Sequence, residues 1–87
     1  MHTDEITEGI IGAAFEVSNV LGAGFLEKVY ENALFIELTE MGFNVEKQKK
    51  HLVYYFVHIV GDYNADLLVN DLIAVEFKGN RMYCRSK

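Results

Sequence analysis

The stretch DLLVNDLIAVEFK, residues 66–78, decides the fold, because it contains two apolar runs separated by an Asn-Asp pair. Two such runs on either side of turn-forming residues predict a β-hairpin. Charged residues nevertheless stand at both ends of it: Asp66 opens the stretch, and Glu76 and Lys78 close it. Since a charge in a core is costly unless it is paired, these three positions are the first candidates for a functional site.

The loop length decides whether the two acids meet. Side chains alternate along a strand, so Glu76 shares a face with the lysine two residues further on. A two-residue loop would place Asp66 and Glu76 on opposite faces. A three-residue loop, residues 70–72, would pair Val69 with Ile73 and Asp66 with Glu76, and Asn and Asp tolerate the left-handed backbone that such a loop uses. We therefore predict the three-residue loop.

Two carboxylates on one face repel each other unless a cation lies between them. Mg²⁺ prefers oxygen ligands and keeps several waters, so two carboxylates and a backbone carbonyl would suffice to hold it. Lys78 could then orient a bound water or help to deprotonate it. The same pattern is also typical of a solvated strand edge, and the residues alone leave both interpretations open.

Composition limits the class of protein. The 87 residues fit one domain, and a hydrophobic content of 51% excludes a disordered chain. The net charge of −5 is not the basic footprint of nonspecific nucleic-acid binding, although an acidic metal-dependent nuclease is compatible with it. The single cysteine, Cys84, excludes an internal disulfide and a cysteine zinc site. The acidic N-terminus and the lack of an apolar run of about 20 residues predict a cytoplasmic protein with no membrane partner.

Helical periodicity covers the first half of the chain. One apolar stripe predicts a first helix ending near Gly22, and a second helix is expected from about Phe25 to Met41, with Gly42 as its C-terminal glycine. The second helix should bury a stripe of apolar residues, with a further set widening it. The stripe comprises Leu26, Val29, Ala33, Ile36 and Met41, and the widening set Tyr30, Leu34 and Leu38.

The second half of the chain is predicted to form strands. HLVYYFVHIV, residues 51–60, is predicted to be one strand, followed by a turn at Gly61-Asp62, whereas the tail GNRMYCRSK shows no usable periodicity. The order helix, helix, then three or four antiparallel strands predicts an α+β fold with two helices packed on the sheet. His51 and His58 are expected to be ordinary strand residues, and the basic cluster around Lys47 and Lys50 a solvated edge.

Two motifs carry a resemblance to known families. Asp66, nine residues, then Glu76-Phe77-Lys78 resembles the PD-(D/E)XK nuclease signature, although Ala65 stands where that signature has proline. The resemblance implies a partial restriction-endonuclease-like core. It further implies that Asp66, Glu76 and the Phe77 carbonyl bind Mg²⁺ or Mn²⁺, and that Lys78 serves the attacking water.

The second motif, Gly24-x-x-Glu27-x-x-Tyr30 within LGAGFLEKVYENAL, looks like the motif of the GxxExxY protein family. The flanking stretches IIGAAFEV and MGFNVEKQ fit the family as well, so the resemblance covers about residues 5–78. In this resemblance Glu27 corresponds to a helix-borne acid that joins the site, and Tyr30 would hydrogen-bond to Glu27 or to a strand.

The resemblance implies a Mg²⁺-dependent nuclease-like domain that hydrolyses phosphodiesters in nucleic acid by a metal-activated water. Members of that family continue past the Glu-x-Lys strand with a helix and a strand, so residues 1–87 are expected to be one domain without them. A homodimer would supply the missing cover. The alternative is a non-catalytic interaction or oligomerisation domain of the same fold, and the sequence leaves open whether catalysis occurs.

Overall fold

The computed structural model describes residues 3–79 and 81–86. Two helices precede four strands, which form one antiparallel sheet in the order β1-β2-β3-β4. The predicted α+β arrangement is therefore confirmed. The elements are α1 (Thr3–Leu21), α2 (Glu27–Glu40), β1 (Val45–Tyr55), β2 (His58–Val69), β3 (Ile73–Lys78) and β4 (Arg81–Ser86).

Glycines end both helices as predicted. Gly22 follows the last residue of α1 with φ +73°, and its amide donates to the Ser18 carbonyl at 2.9 Å. Gly42 has φ +96° and donates to the Thr39 carbonyl at 3.0 Å. A left-handed residue after the last turn satisfies carbonyls that would otherwise lack a partner, and glycine adopts that conformation without a Cβ penalty.

The main core lies between the helices and one face of the sheet. The stripe predicted for α1 supplies buried Ile6, Ile10 and Val17. The prediction for α2 is partly wrong. Leu34 and Leu38 of the widening set are buried, and Ala33 of the stripe packs against the core, as predicted. The other stripe residues are exposed: Leu26, Val29, Ile36 and Met41. The sheet contributes Leu67, Val69, Ile73 and Val75.

The hairpin between β2 and β3 has the predicted register at its loop, but its strand pairing ends at Leu67↔Val75, so the predicted Asp66–Glu76 pair is not formed. Val69 pairs with Ile73, and Asn70 and Asp71 both have positive φ, +51° and +56°. The Leu72 amide donates to the Val69 carbonyl at 3.0 Å, which closes the three-residue loop.

The β1–β2 hairpin departs from expectation. It turns at Phe56 and Val57, where Phe56 has φ +55°, and not at the predicted Gly61-Asp62 turn. Gly61 lies within β2 opposite Val53, beside a register shift between Val53 and Tyr54. A glycine inside a strand commonly marks such a bulge. The predicted strand 51–60 is thus the end of β1, the turn and the start of β2.

The tail, for which no element was expected, forms β4 and pairs with β3 from Ile73↔Ser86 to Lys78↔Arg81. Pairing of β2 with β3, in contrast, ends at Leu67↔Val75. The sheet therefore forks beyond Leu67, and the β1–β2 hairpin continues alone on one side of the fork. We call residues 52–60, the outer part of that hairpin, the arm. Among the described helices, we find no segment that meets the length and apolarity of a membrane span.

Candidate functional site

Asp66 lies at the fork. Its Oδ2 accepts a hydrogen bond from the Phe77 amide at 2.7 Å. Asp66 is one residue beyond the last β2–β3 pair, Leu67↔Val75, and Phe77 is two residues beyond it. A side chain thus replaces the backbone partner at the place where the strands separate. This satisfies an amide that would otherwise be left unpaired between diverging strands, and it fixes the Asp66 carboxylate against the backbone of the Glu-x-Lys strand.

Glu76 and Lys78 point away from the helices. Val75 and Phe77 pack toward the helical core, and since side chains alternate, Glu76 and Lys78 belong to the opposite face, here called the open face. Glu76 is only 8% exposed, whereas Lys78 is exposed. Both line a shallow groove on the open face.

Besides Glu76 and Lys78, the groove is lined by four residues that sequence reasoning did not place in a site. They are Val53 of β1, Tyr63 of β2, and Arg85 and Ser86 of β4. Among the described residues, no ion pair within 4 Å joins Glu76 to Lys78 or Arg85.

Arg85 could not be predicted in the groove because its strand was not. Tyr63 could not be predicted there either, because Leu67 and Val69 of the same strand face the helical core. Regular alternation would put Tyr63 on that face too, so the alternation of β2 breaks between residues 63 and 67, opposite Gln48 with its φ of +51°.

Glu27 is not brought to this groove. It is the first residue of α2 and lines a different cleft of about 730 Å³, on the helical side of the sheet. The Phe77 ring lines the same cleft, so the sheet lies between Glu27 and the open face that carries Glu76 and Lys78. The sequence could not show this, because strand alternation does not say which face the helices cover.

Tyr30 holds the loop between the helices. Its hydroxyl donates to the Gly22 carbonyl at 2.6 Å and accepts from the Phe25 amide at 3.3 Å. The expectation that it would bond to Glu27 or to a strand is therefore wrong. Gly24 has φ +101°, which a side chain would disfavour. In the Gly-x-x-Glu-x-x-Tyr motif, the glycine and the tyrosine shape the wall of the cleft.

Two lysines of the basic cluster on β1 make contacts within the chain. Lys47 Nζ lies 3.0 Å from Asn32 Oδ1 and 4.6 Å from the centroid of the Phe35 ring. Lys50 pairs with Asp62 at 3.3 Å. The side chain of Lys49 lies outside the described part of the chain.

The described histidine, cysteine and acidic side chains contain no group of three close enough to hold a metal ion. The ligand set expected from the sequence is smaller, with two carboxylates and one carbonyl. Its chemistry suits Mg²⁺, which needs few protein oxygens and retains water. Asp66 Oδ1, which accepts no hydrogen bond from a described residue, remains available for such a role.

Comparisons with known proteins identify the family. A search among curated proteins and a search among solved structures gave no match. A family model described as the PD-(D/E)XK nuclease superfamily matches residues 4–85, which is nearly the whole chain. That span includes both helices from Asp4 onward and the complete Asp66-to-Lys78 hairpin. The chain therefore belongs to the PD-(D/E)XK nuclease superfamily.

Proposed function

We propose that this chain is a GxxExxY-type nuclease-like domain that hydrolyses phosphodiester bonds in nucleic acid with the help of Mg²⁺ or Mn²⁺. The observation that carries the proposal is the hydrogen bond from the Phe77 amide to Asp66 at 2.7 Å. It attaches the isolated acid of the motif to the strand that bears Glu76 and Lys78.

The residues that would hold the ion are Asp66, Glu76 and the Phe77 carbonyl. All three supply oxygen donors, and the two carboxylates lie on neighbouring strands. When bound, the ion would lower the pKa of a coordinated water and stabilise charge on the phosphate. Glu27, on the other side of the sheet, is assigned to the cleft wall in this proposal and not to the ligand set.

In this proposal the fold holds the side chains of the site in fixed orientations. The Phe77 amide holds one oxygen of Asp66, so that the carboxylate is fixed before any ligand arrives. Burial of Glu76 against the sheet restricts its rotamers. Lys78 is exposed at the end of β3, where its ammonium can donate to a phosphate oxygen or to the attacking water. Arg85, in the same groove, would give a second contact to the phosphate.

Metal titration followed by amide NMR tests the proposal. Mg²⁺ should produce saturable shifts centred on Asp66, Glu76 and Phe77, and Mn²⁺ should broaden the same signals. Asp66→Asn keeps a hydrogen-bond acceptor for the Phe77 amide but removes the charge, so it should abolish the response while leaving the remaining spectrum intact. Cleavage of single- and double-stranded DNA and RNA would then be assayed, with Lys78→Met as the inactive comparison.

A second candidate is a non-catalytic interaction domain of the same fold. The separation of Glu27 from Glu76 and Lys78 favours it, because the three charged residues of the motifs do not converge. A titration without any localised response, in a chain shown to be folded by its amide dispersion, would establish this alternative over the nuclease.

A further inference from the structure

The arm exposes an unusual amount of apolar surface. Eight large apolar side chains between residues 52 and 60 are exposed on both faces of the hairpin. Phe56 and Val57 at the tip are 84% and 86% exposed. Soluble proteins rarely leave a contiguous apolar patch of this extent uncovered unless it meets a partner. The eight residues are Leu52, Val53, Tyr54, Tyr55, Phe56, Val57, Ile59 and Val60.

The tip is a two-residue turn. Phe56 adopts φ +55°, a conformation that is disfavoured for a bulky side chain. The ring of Phe56 meets that of Tyr55 edge-on, with centroids 4.8 Å apart, and not the core. A positive φ is usual in the two-residue turn of a hairpin, and this turn leaves the Phe56 ring in solvent, where a partner can contact it.

The absence of Lys, Arg, Asp and Glu from the arm limits the class of partner that it can bind. Residues 52–60 contain no Lys, Arg, Asp or Glu. At the base of the arm, Lys50 is already paired with Asp62. Nucleic acid and anionic lipid both attract basic surfaces, which the arm lacks. An uncharged apolar surface is best matched by another of the same kind.

The outer edge of β1 gives a geometry by which two copies can associate. β1 is the outer strand of the described sheet, and its first half is flanked by α2, where Lys47 contacts Asn32. Residues 52–55 extend beyond this contact. Two copies related by a twofold axis can pair these edges antiparallel, since each strand then presents the same surface to the other.

We propose that the protein forms a closed homodimer through its arms, with β1 of one copy paired antiparallel to β1 of the other around Val53. Pairing around Val53 brings Leu52, Val53, Tyr54 and Tyr55 of each copy, half of the exposed apolar residues of the arm, next to the same residues of the partner copy. This is roughly half of the ~800 Å² that each partner gives to a standard interface, which fits a dimer of micromolar affinity. This inference does not depend on the proposed metal site.

Sedimentation equilibrium across the micromolar range tests the dimer, with Val53→Lys as the disruptive variant. The wild-type mass should rise from 9.9 kDa to a plateau at twice that value. Val53→Lys places two like charges across the twofold axis and should weaken association about tenfold or more. Val20→Lys is the matched control, because Val20 is a 73% exposed valine on α1, and it should leave association unchanged.

A cross-link tests the geometry without adding charge. In a Cys84→Ser background, Val53→Cys should link two copies rapidly with a short bismaleimide, whereas Glu16→Cys on the exposed side of α1 should not. A wild-type chain that remains monomeric throughout would overturn the proposal. So would a mass that rises without a plateau, equal weakening by Val20→Lys, or equal cross-linking at position 16.

Discussion

Asp66 Oδ2 and the Phe77 amide nitrogen lie 2.7 Å apart, and this hydrogen bond joins β2 to β3 beyond their last backbone pair, Leu67↔Val75. This side chain therefore has a structural role as well as a proposed ligand role. The two roles can be separated, because only the ligand role needs the negative charge.

We expect two substitutions of Asp66 to lower the free energy of unfolding by different amounts. Asp66→Ala leaves the partly buried Phe77 amide without an acceptor and should lower the free energy of unfolding by about 1–3 kcal/mol. Asp66→Asn retains an oxygen and should lose about 1 kcal/mol or less. Urea denaturation measures both. Equal losses would show that the hydrogen bond contributes little to stability.

Tyr30→Phe removes one hydroxyl that bridges the Gly22 carbonyl and the Phe25 amide. We expect a loss of about 1–2 kcal/mol and faster hydrogen exchange at Phe25, because the loop between the helices loses its attachment. Tyr83→Phe, at an exposed position of β4, serves as the control and should change neither quantity. A Tyr30→Phe chain with unchanged exchange at Phe25 would contradict the role assigned to Tyr30.

Alanine substitutions at the two glycines within α1 should have opposite effects on the stability of the protein. A Cβ at Gly12 meets nothing within 4 Å, whereas one at Gly9 would lie 2.8 Å from Phe43 Cζ. Gly12→Ala should therefore stabilise the protein by about 0.5–1 kcal/mol through helix propensity. Gly9→Ala should destabilise it by about 1–3 kcal/mol, since the Phe43 ring must shift. Thermal unfolding of the pair checks the packing of α1 on Phe43, and equal changes would refute it.

Burial raises the pKa of the Cys84 thiol above its ordinary value of 9.0. The folded state thus disfavours the thiolate. The stabilising contribution of the protonated thiol is fully present below pH 9.0 and is lost as the pH rises through the folded-state pKa. Alkylation by iodoacetamide should follow the thiolate, so its rate profile in native protein should lie at higher pH than in urea. Coincident profiles would argue against burial of the thiol.

The β2–β3 hairpin could be predicted because its chemistry is local. Asn70 and Asp71 favour the left-handed conformations that they adopt, and the requirement that Asp66 meet Glu76 selected the loop length. The caps at Gly22 and Gly42 were predictable for the same reason, since each depends on a glycine beside a helical stripe.

The elements that sequence reasoning missed depend on distant contacts. β4 has no pattern of its own and exists through pairing with β3. The turn at Phe56 and Val57 lacks turn-forming residues, while Gly61, which resembles a turn residue, lies at the register shift of a long hairpin. The position of Glu27 relative to Glu76 depends on which sheet face the helices cover, and this is a property of packing between elements.

The attachment of Tyr30 to Gly22 also changes how the Gly-x-x-Glu-x-x-Tyr pattern should be interpreted when genomes are searched. Gly24 of the motif shapes this loop through its φ of +101°, and Tyr30 holds it through its hydrogen bonds to Gly22 and Phe25, whether or not a metal is bound. A chain of this fold without hydrolytic activity would still gain stability from both residues. A match to this pattern therefore indicates the fold, and the proposed activity has to be tested at Asp66, Glu76 and Lys78.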